Sequence, residues 1–448
     1  MPVPSASIAT DKFRISNAQS LLSDIANNNY YLSIGKTTQW ANDISPEIPE
    51  DSTYYRDNLV WFDMIGTKKV SSTKTSLVTP RYEWTANTIY AQYDSNDGNL
   101  FSKQFFVHAI QSDGSYNIYK CLENKNASPS TVLPTDQTTS GDIPARLADG
   151  YIWKFMGKIN TLDYSNFATP QHMPIKTIAT NDGSLQYQIQ QSAINGSVLS
   201  VHAINIGSGY TSVPTLTIVG DGTGLTVSPV LEGNTITSYN VLTAGQNYSY
   251  VTITVSGGGG AGATAKAALS PAGGHGKNAI YELGAYFIMI YVSLEYAEND
   301  TLTVNNSYRR VGLIKNPLLL GTSTPATGLN YRQTTRYNIT TQSGAGFQIN
   351  EKISQAGTNG ATAYIVDIDA TNGYLYVTET GNRLFNVGTG SSQITGQTSG
   401  TTSFFSNANS GDAIGLQPES GITMYIENRK PVGRASDQLE SIRAVFQL

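Results

Sequence analysis

Leu216 and Ile218 alternate with threonine, as do Ile253 and Val255, and a glycine follows each run. A period of two is the spacing of a strand with one buried face and one wet face. The pattern is clearest in a degenerate repeat. Gly207-Ser-Gly-Tyr-Thr-Ser-Val-Pro-Thr-Leu-Thr-Ile-Val-Gly220 runs into Asp-Gly-Thr-Gly224. Gly245-Gln-Asn-Tyr-Ser-Tyr-Val-Thr-Ile-Thr-Val-Ser-Gly257 runs into Gly-Gly-Gly-Ala-Gly262. Each copy reads as a tyrosine-bearing turn, an alternating strand and a glycine-rich turn. Two copies are too few for a solenoid, so the segment 181–272 is read as a small β-module. A second segment of the same texture spans 335–411. There Ala363–Asp369 and Tyr374–Thr378 predict a strand pair joined across Asn372-Gly373.

The composition agrees. Only 14% of the 448 residues are charged, the net charge is −5, and glycine contributes 42 residues. A weakly acidic chain without a basic block does not fit phosphate-backbone binding. A single cysteine, Cys121, excludes an intrachain disulfide and reads as a buried thiol. Met1–Thr10 lacks the basic and apolar regions of a signal peptide. The longest apolar stretch, Ala285–Val292, is far short of the roughly 20 residues that span a bilayer. No membrane and no nucleic-acid partner is expected.

Helical spacing is confined to the start of the chain. Ile15, Ala18, Leu21, Leu22 and Ile25 predict a helix over 16–27, followed by a strand at Tyr30–Ile34. A second helix is predicted near Asp57–Ile65 and stopped by Gly66. Phe105–Ile110 and Tyr116–Cys121 predict a hairpin, and Glu123–Gly150 a long loop. The fold class expected is therefore mainly β, in β-sandwich-like layers, with a few short helices near the N-terminus. It is multi-domain: core 1–180, inserted module 181–272, core 273–334, second inserted module 335–411, and C-terminal strands 412–448.

No chemical motif stands out. None of His108, His172, His202 and His275 has a partner at metal-ligand spacing. The Gly-His275-Gly loop would present an imidazole, but no acid or nucleophile accompanies it. Gly257–Gly262 lacks the Lys-Ser/Thr of a phosphate loop and reads as a turn between strands. Asp94-Ser-Asn-Asp-Gly98 lacks the acidic twelfth position of an EF-hand, where Phe105 stands. An enzyme is not expected, and no catalytic residue, metal or cofactor is assigned.

Eight short blocks, taken in order, carry a resemblance. They are Thr10–Arg14, Ser33-Ile-Gly-Lys36 with Trp40, Asp63–Val70, Thr79-Pro-Arg-Tyr-Glu-Trp84, Tyr119–Leu122, Asp149–Phe155, Tyr308–Leu318, and Met424–Pro431 with Asp437-Gln438. The series resembles the gene-eight baseplate wedge subunits of T-even-type contractile-tailed bacteriophages. It covers roughly 1–180, 273–334 and 412–448, and the two glycine-rich modules fall between its blocks. The resemblance implies a structural virion protein of the tail baseplate, assembled in the host cytoplasm. It implies a homodimer that links other baseplate wedge proteins and takes part in the rearrangement during infection. It brings no catalytic residue and no cofactor.

Within those blocks several side chains are candidates for structural or interface roles. Tyr151, Trp153 and Phe155 alternate along one strand and form an aromatic face suited to a core. Arg81 and Trp84 mark one charged corner, and Glu427 and Arg429 another, with Arg429 expected to make a fixed bidentate bond. Arg309 belongs to the Tyr308–Leu318 block. The alternative function is a tail receptor- or glycan-binding protein, with Tyr210, Tyr248, Tyr374 and Tyr376 as aromatic platforms near turns.

Overall fold

Backbone hydrogen bonding in this chain is carried by antiparallel strands: 43% of the residues lie in strands and 12% in helices. The computed structural model describes residues 8–139, 143–298, 301–357, 360–380, 385–388, 393–406 and 415–448. Among these, no helix is long and apolar enough to cross a membrane. The first seven residues and parts of the 335–411 segment, including 389–392 and 407–411, lie outside the described residues. The chain divides into two compact units. One comprises Met1–Ser20, Ser76–Met289 and Val445–Leu448, and the other Leu21–Thr75 and Ile290–Ala444.

The N-terminal helix spans Asp11–Asn27, starting earlier than its apolar spacing suggests because Thr10 accepts from the free amides of Phe13 and Arg14. Three further short helices lie at Thr161–Phe167, Leu185–Ser192 and Ala279–Glu282. Each of these begins with an Asn or Ser side chain accepting from a first-turn amide.

In the first unit, Phe106–Ile110 and Tyr116–Glu123 form the expected hairpin, and Ile152–Ile159 adds a third strand. Tyr119, Cys121, Tyr151, Trp153 and Phe155 point to one face and close on Tyr90 and Val107. The helix Leu185–Ser192 supplies Ile189 to the same core.

The repeat in 198–269 has a two-fold logic. Strands Val198–Ser208, Ala261–Leu269, Val251–Ser256 and Thr215–Gly220 form one sheet in that order, beside the hairpin Thr223–Glu232 and Thr235–Gln246. The two repeat strands pair with each other, Leu216 opposite Val255 and Ile218 opposite Ile253. Each repeat tyrosine then packs on the glycine turn of the other copy. A Cβ at Gly260 would sit 2.5 Å from the Tyr210 ring, and one at Gly222 would sit 2.5 Å from the Tyr248 ring. The Tyr210 hydroxyl accepts from the Ala263 amide (3.2 Å), and the Tyr248 hydroxyl from the Leu225 amide (3.3 Å).

In the second unit a five-stranded antiparallel sheet runs in the order Asn330–Arg332, Met64–Lys69, Tyr30–Gly35, Asn306–Lys315 and Ile422–Arg434. The helix expected near 57–65 ends sooner. A π-type turn, Tyr55–Leu59, leads into one helical turn, Val60–Phe62, and Gly66 lies inside the next strand. Gly66 leaves room there for the Leu302 side chain, whose end a Cβ would meet at 2.2 Å. The 335–406 region forms a six-stranded sheet whose first and last strands are joined by bridges Ile339–Phe405 and Ser343–Thr402. The sheet thus closes on itself around Tyr337, Phe385 and Phe405, with ring centroids 4.3–5.5 Å apart.

The interlocked repeat predicts a pair of matched effects. Gly222→Ala and Gly260→Ala each drive a methyl group into backbone and ring, and each should cost about 2–4 kcal/mol. Gly257→Ala, at φ +77° with open space around it, should cost only about 1 kcal/mol. Urea unfolding of the three variants measures the difference.

Candidate functional site

Four of the sequence blocks that carry the resemblance come together within the second unit. Ser33–Gly35, Met64–Lys69, Tyr308–Lys315 and Met424–Arg429 lie on four neighbouring strands of the five-stranded sheet. In the other unit, Tyr119–Leu122 pairs with the strand that follows Tyr151, and Glu83 bridges to His108 in the same sheet.

The inner strand Asn306–Lys315, next to the edge strand, holds two adjacent arginines. The pairing with Ile422–Arg434 is irregular at Arg309, and each arginine takes a different connecting segment. Arg309 makes a two-pronged bond to Asp43 (Nε–Oδ1 2.9 Å, Nη2–Oδ2 2.8 Å) and donates to the Thr37 carbonyl and the Ser307 hydroxyl. It holds the Asp43 carboxyl below the usual carboxylate range. Arg310 donates from Nη1 to both oxygens of Asp63 (3.0 and 2.8 Å), from Nε to Asn428 and from Nη2 to the Tyr55 hydroxyl. Its guanidinium also faces the Trp40 and Tyr55 rings, at 5.6 and 5.0 Å. The π-type turn brings Tyr55 to this position. A third arginine, Arg434, bonds Glu440 and the carbonyls of Thr303 and Tyr296.

Arg429 differs from its expected role. Its guanidinium reaches Glu427 through one contact at 3.1 Å, both side chains being about a quarter exposed. Its backbone carbonyl does more, accepting from the Trp40 indole (3.1 Å). The bidentate geometry belongs to Arg309, which sits on an inner strand where both prongs are shielded. At the other corner, Arg81 pairs with Glu83 and donates to the Thr169 carbonyl (3.1 Å), while the Trp84 indole donates to Ser130 (3.1 Å). Tyr151, Trp153 and Phe155 are all buried.

The face behind those aromatics is also buried, against the expectation of alternation. Lys120 and Lys154 sit opposite each other on neighbouring strands, 0% and 2% exposed. The short helix Ala279–Glu282 covers them, and Glu282 closes an ion pair with Lys120. Glu282 also accepts from the amides of Gly276 and Asn278 (2.8 and 3.2 Å). His275 does not project from its loop. It is buried edge-on to Tyr93, at 5.1 Å between ring centroids. Burial and the two lysines push its pKa well below the usual value, and neither ring nitrogen has a partner among the described residues.

The other candidate chemistry resolves into structure. Asp94 and Asp97 accept from amides of their own turn, and Asp94 pairs with Lys266. Among the described residues, no group of three or more His, Cys, Asp or Glu side chains is placed to hold a metal. Of the four tyrosines considered as sugar platforms, Tyr210 and Tyr248 pack on glycine turns of their own module. Tyr374 and Tyr376 lie under Arg336 and Arg332, at 4.7 and 5.2 Å. The arrangement is one of guanidiniums bonded to or stacked on groups of their own chain, and Arg309 and Arg310 fix connecting segments to a sheet.

Sequence reasoning missed Arg310, Arg434, Asp43, Asp63, Lys120 and Glu282. A doubled arginine inside an otherwise apolar strand, Arg309-Arg310, was the available signal for the first. Lysines flanked by Tyr, Cys, Trp and Phe were the signal for the buried pair.

Two measurements follow from these contacts. Arg309→Ala removes a shielded two-pronged bond and two further bonds, and should cost about 3 kcal/mol or more. Arg429→Ala removes a partly exposed, single-contact ion pair and should cost about 1 kcal/mol or less. Second, burial lowers His108 to about 3, whereas an unfolded histidine takes its proton near 6.5. The unfolded state therefore binds the extra proton as pH falls below 6.5, and stability drops in that direction. The loss from His108 should reach about 2 kcal/mol at pH 5. Urea unfolding of His108→Phe at pH 7 and pH 5 should show a difference smaller by that amount.

No protein-family model matches the chain, and no curated protein matches it.

Proposed function

We propose that the protein is a structural component of a contractile phage tail, a baseplate wedge subunit acting as a homodimeric scaffold between other wedge proteins. The observation that carries this reading is the ordered series of blocks together with their convergence. Segments far apart in sequence, Tyr30–Gly35, Asn306–Lys315 and Ile422–Arg434, become successive strands, and the arginines inside the blocks tie loops to that sheet. A scaffold needs rigid connections more than a cleft, and saturated guanidinium clamps give them. The low content of charged side chains agrees with surfaces covered by partners. On this reading the two glycine-rich modules are additions to the wedge core.

Light scattering coupled to size exclusion tests the reading directly. The expected mass is about twice the 48.2 kDa of one chain. A stable trimer would replace the wedge reading with that of a fibre-type adhesin, and a monomer at micromolar concentration would remove the dimeric scaffold.

A further inference from the structure

The strand Ile422–Arg434 is the edge of the five-stranded sheet, and its two halves are treated differently. An open strand edge offers unpaired amides and carbonyls to any extended chain, and folded proteins blunt such edges with lysine, proline, bulges or covering segments. The second half is blunted in all these ways. Lys430-Pro431 lies in an irregularity of the pairing, Trp40 bonds the Arg429 carbonyl, and Asn428 bonds the Glu47 carbonyl. The first half is not. Residues 422–426 pair with Asn306–Lys315 on one side. On the other side no backbone bond reaches them among the described residues.

Beside this open half runs a groove of about 680 Å³. One wall is Ile422–Ile426 and the other is Pro49–Asp51 with Arg56 and Asp57. The floor side is anchored by Thr423, whose hydroxyl donates to the Arg56 carbonyl (3.1 Å). Met424 is the extra residue where the pairing shifts, and it lines the groove. A bulge of this kind re-aims a side chain. Ile422 and Met424 are 58% and 46% exposed, apolar surface that water covers at a cost. The opposite wall is acidic. Arg56 is already paired with Asp51 at 2.5 Å, so Glu50 and Asp57 set the sign of the groove.

We propose that this groove docks an extended segment of a partner protein, one that alternates apolar and basic residues. The apolar side chains would cover Ile422 and Met424, the basic ones would meet Glu50 and Asp57, and the backbone would take the free edge of 422–426. About five residues of strand, roughly 17 Å, is the length available. A second copy of this chain is the poorer occupant, because two acidic walls would face each other. The inference goes beyond the scaffold reading and does not rest on it, since the groove binds by local geometry and charge.

The test uses the full-length protein and two labelled peptides, Lys-Val-Lys-Leu-Lys-Val-Lys and its Glu-for-Lys counterpart, followed by fluorescence anisotropy. The lysine peptide should bind, weakening at least tenfold between 50 and 500 mM salt on the order expected for exposed charges. The glutamate peptide should not bind. In the Glu50→Lys/Asp57→Lys variant the preference should reverse, a result that an unfolded protein could not give. Hydrogen exchange on the unaltered protein should show new protection confined to 422–427 when the lysine peptide is present. Equal binding of both peptides, unchanged preference in the charge-swapped variant, or protection elsewhere would overturn the proposal. So would Met424→Lys halving the mass in light scattering, which would make the face a contact between copies.

Discussion

The arginine pair at positions 309 and 310 is the interaction on which the second unit depends. The inner strand Asn306–Lys315 carries two consecutive guanidiniums at an irregularity of its pairing with Ile422–Arg434. One fixes the Thr37–Asp43 segment and the other fixes the turn at Tyr55–Asp63. Each charge leaves water, which costs several kcal/mol unless the partner geometry is good. Here every prong has an oxygen to bond, so the cost is offset and a loose segment is converted into a fixed one. Arg434 repeats the device at the far end of the edge strand, with two carbonyls and Glu440. The loops of this unit are held by directed bonds as well as by the apolar side chains they bury, Tyr55, Val60 and Trp61 among them.

The first unit solves a different problem. Its sheet has an aromatic face whose tyrosine hydroxyls bond nearby backbone and side-chain groups, and a reverse face carrying Lys120 and Lys154. Buried Lys120 is paired with Glu282, and Glu282 in turn is oriented by two backbone amides of the Gly276–Asn278 turn. The glycines around His275 are therefore part of an electrostatic support. They allow the chain to bend closely enough for its amides to face a carboxylate.

Most of the strand content was legible because alternation and turn chemistry are local. The hairpins at 106–123 and 362–379 and the glycine turn at 257–260 followed from residues within a few positions of each other. What was not legible was long-range. Nothing local to Gly66 shows that Leu302 will press on it, so a glycine that serves close packing was read as a helix stop. Lys120 and Lys154 alternate with aromatics as wet residues do, and only the cover from Ala279–Glu282 makes them buried. Arg429 looked like the clamp because its neighbours Glu427 and Lys430-Pro431 form a corner. The choice between Arg309 and Arg429 depends on which strand ends up inside the sheet, and that is a property of the topology.

The repeat tyrosines carry one more implication. Tyr210 rests on Gly260 and Gly262's turn, and Tyr248 rests on Gly222 and Gly224's turn, so each copy finishes the other. A chain leaving the ribosome presents the first tyrosine about fifty residues before its seat exists. The first copy therefore has no complete core of its own, and neither half is a folding unit. The duplication yields a single cooperative body whose assembly waits for its last strand. Such an arrangement makes partial products of synthesis easy to tell from finished ones, because only the finished module hides its rings.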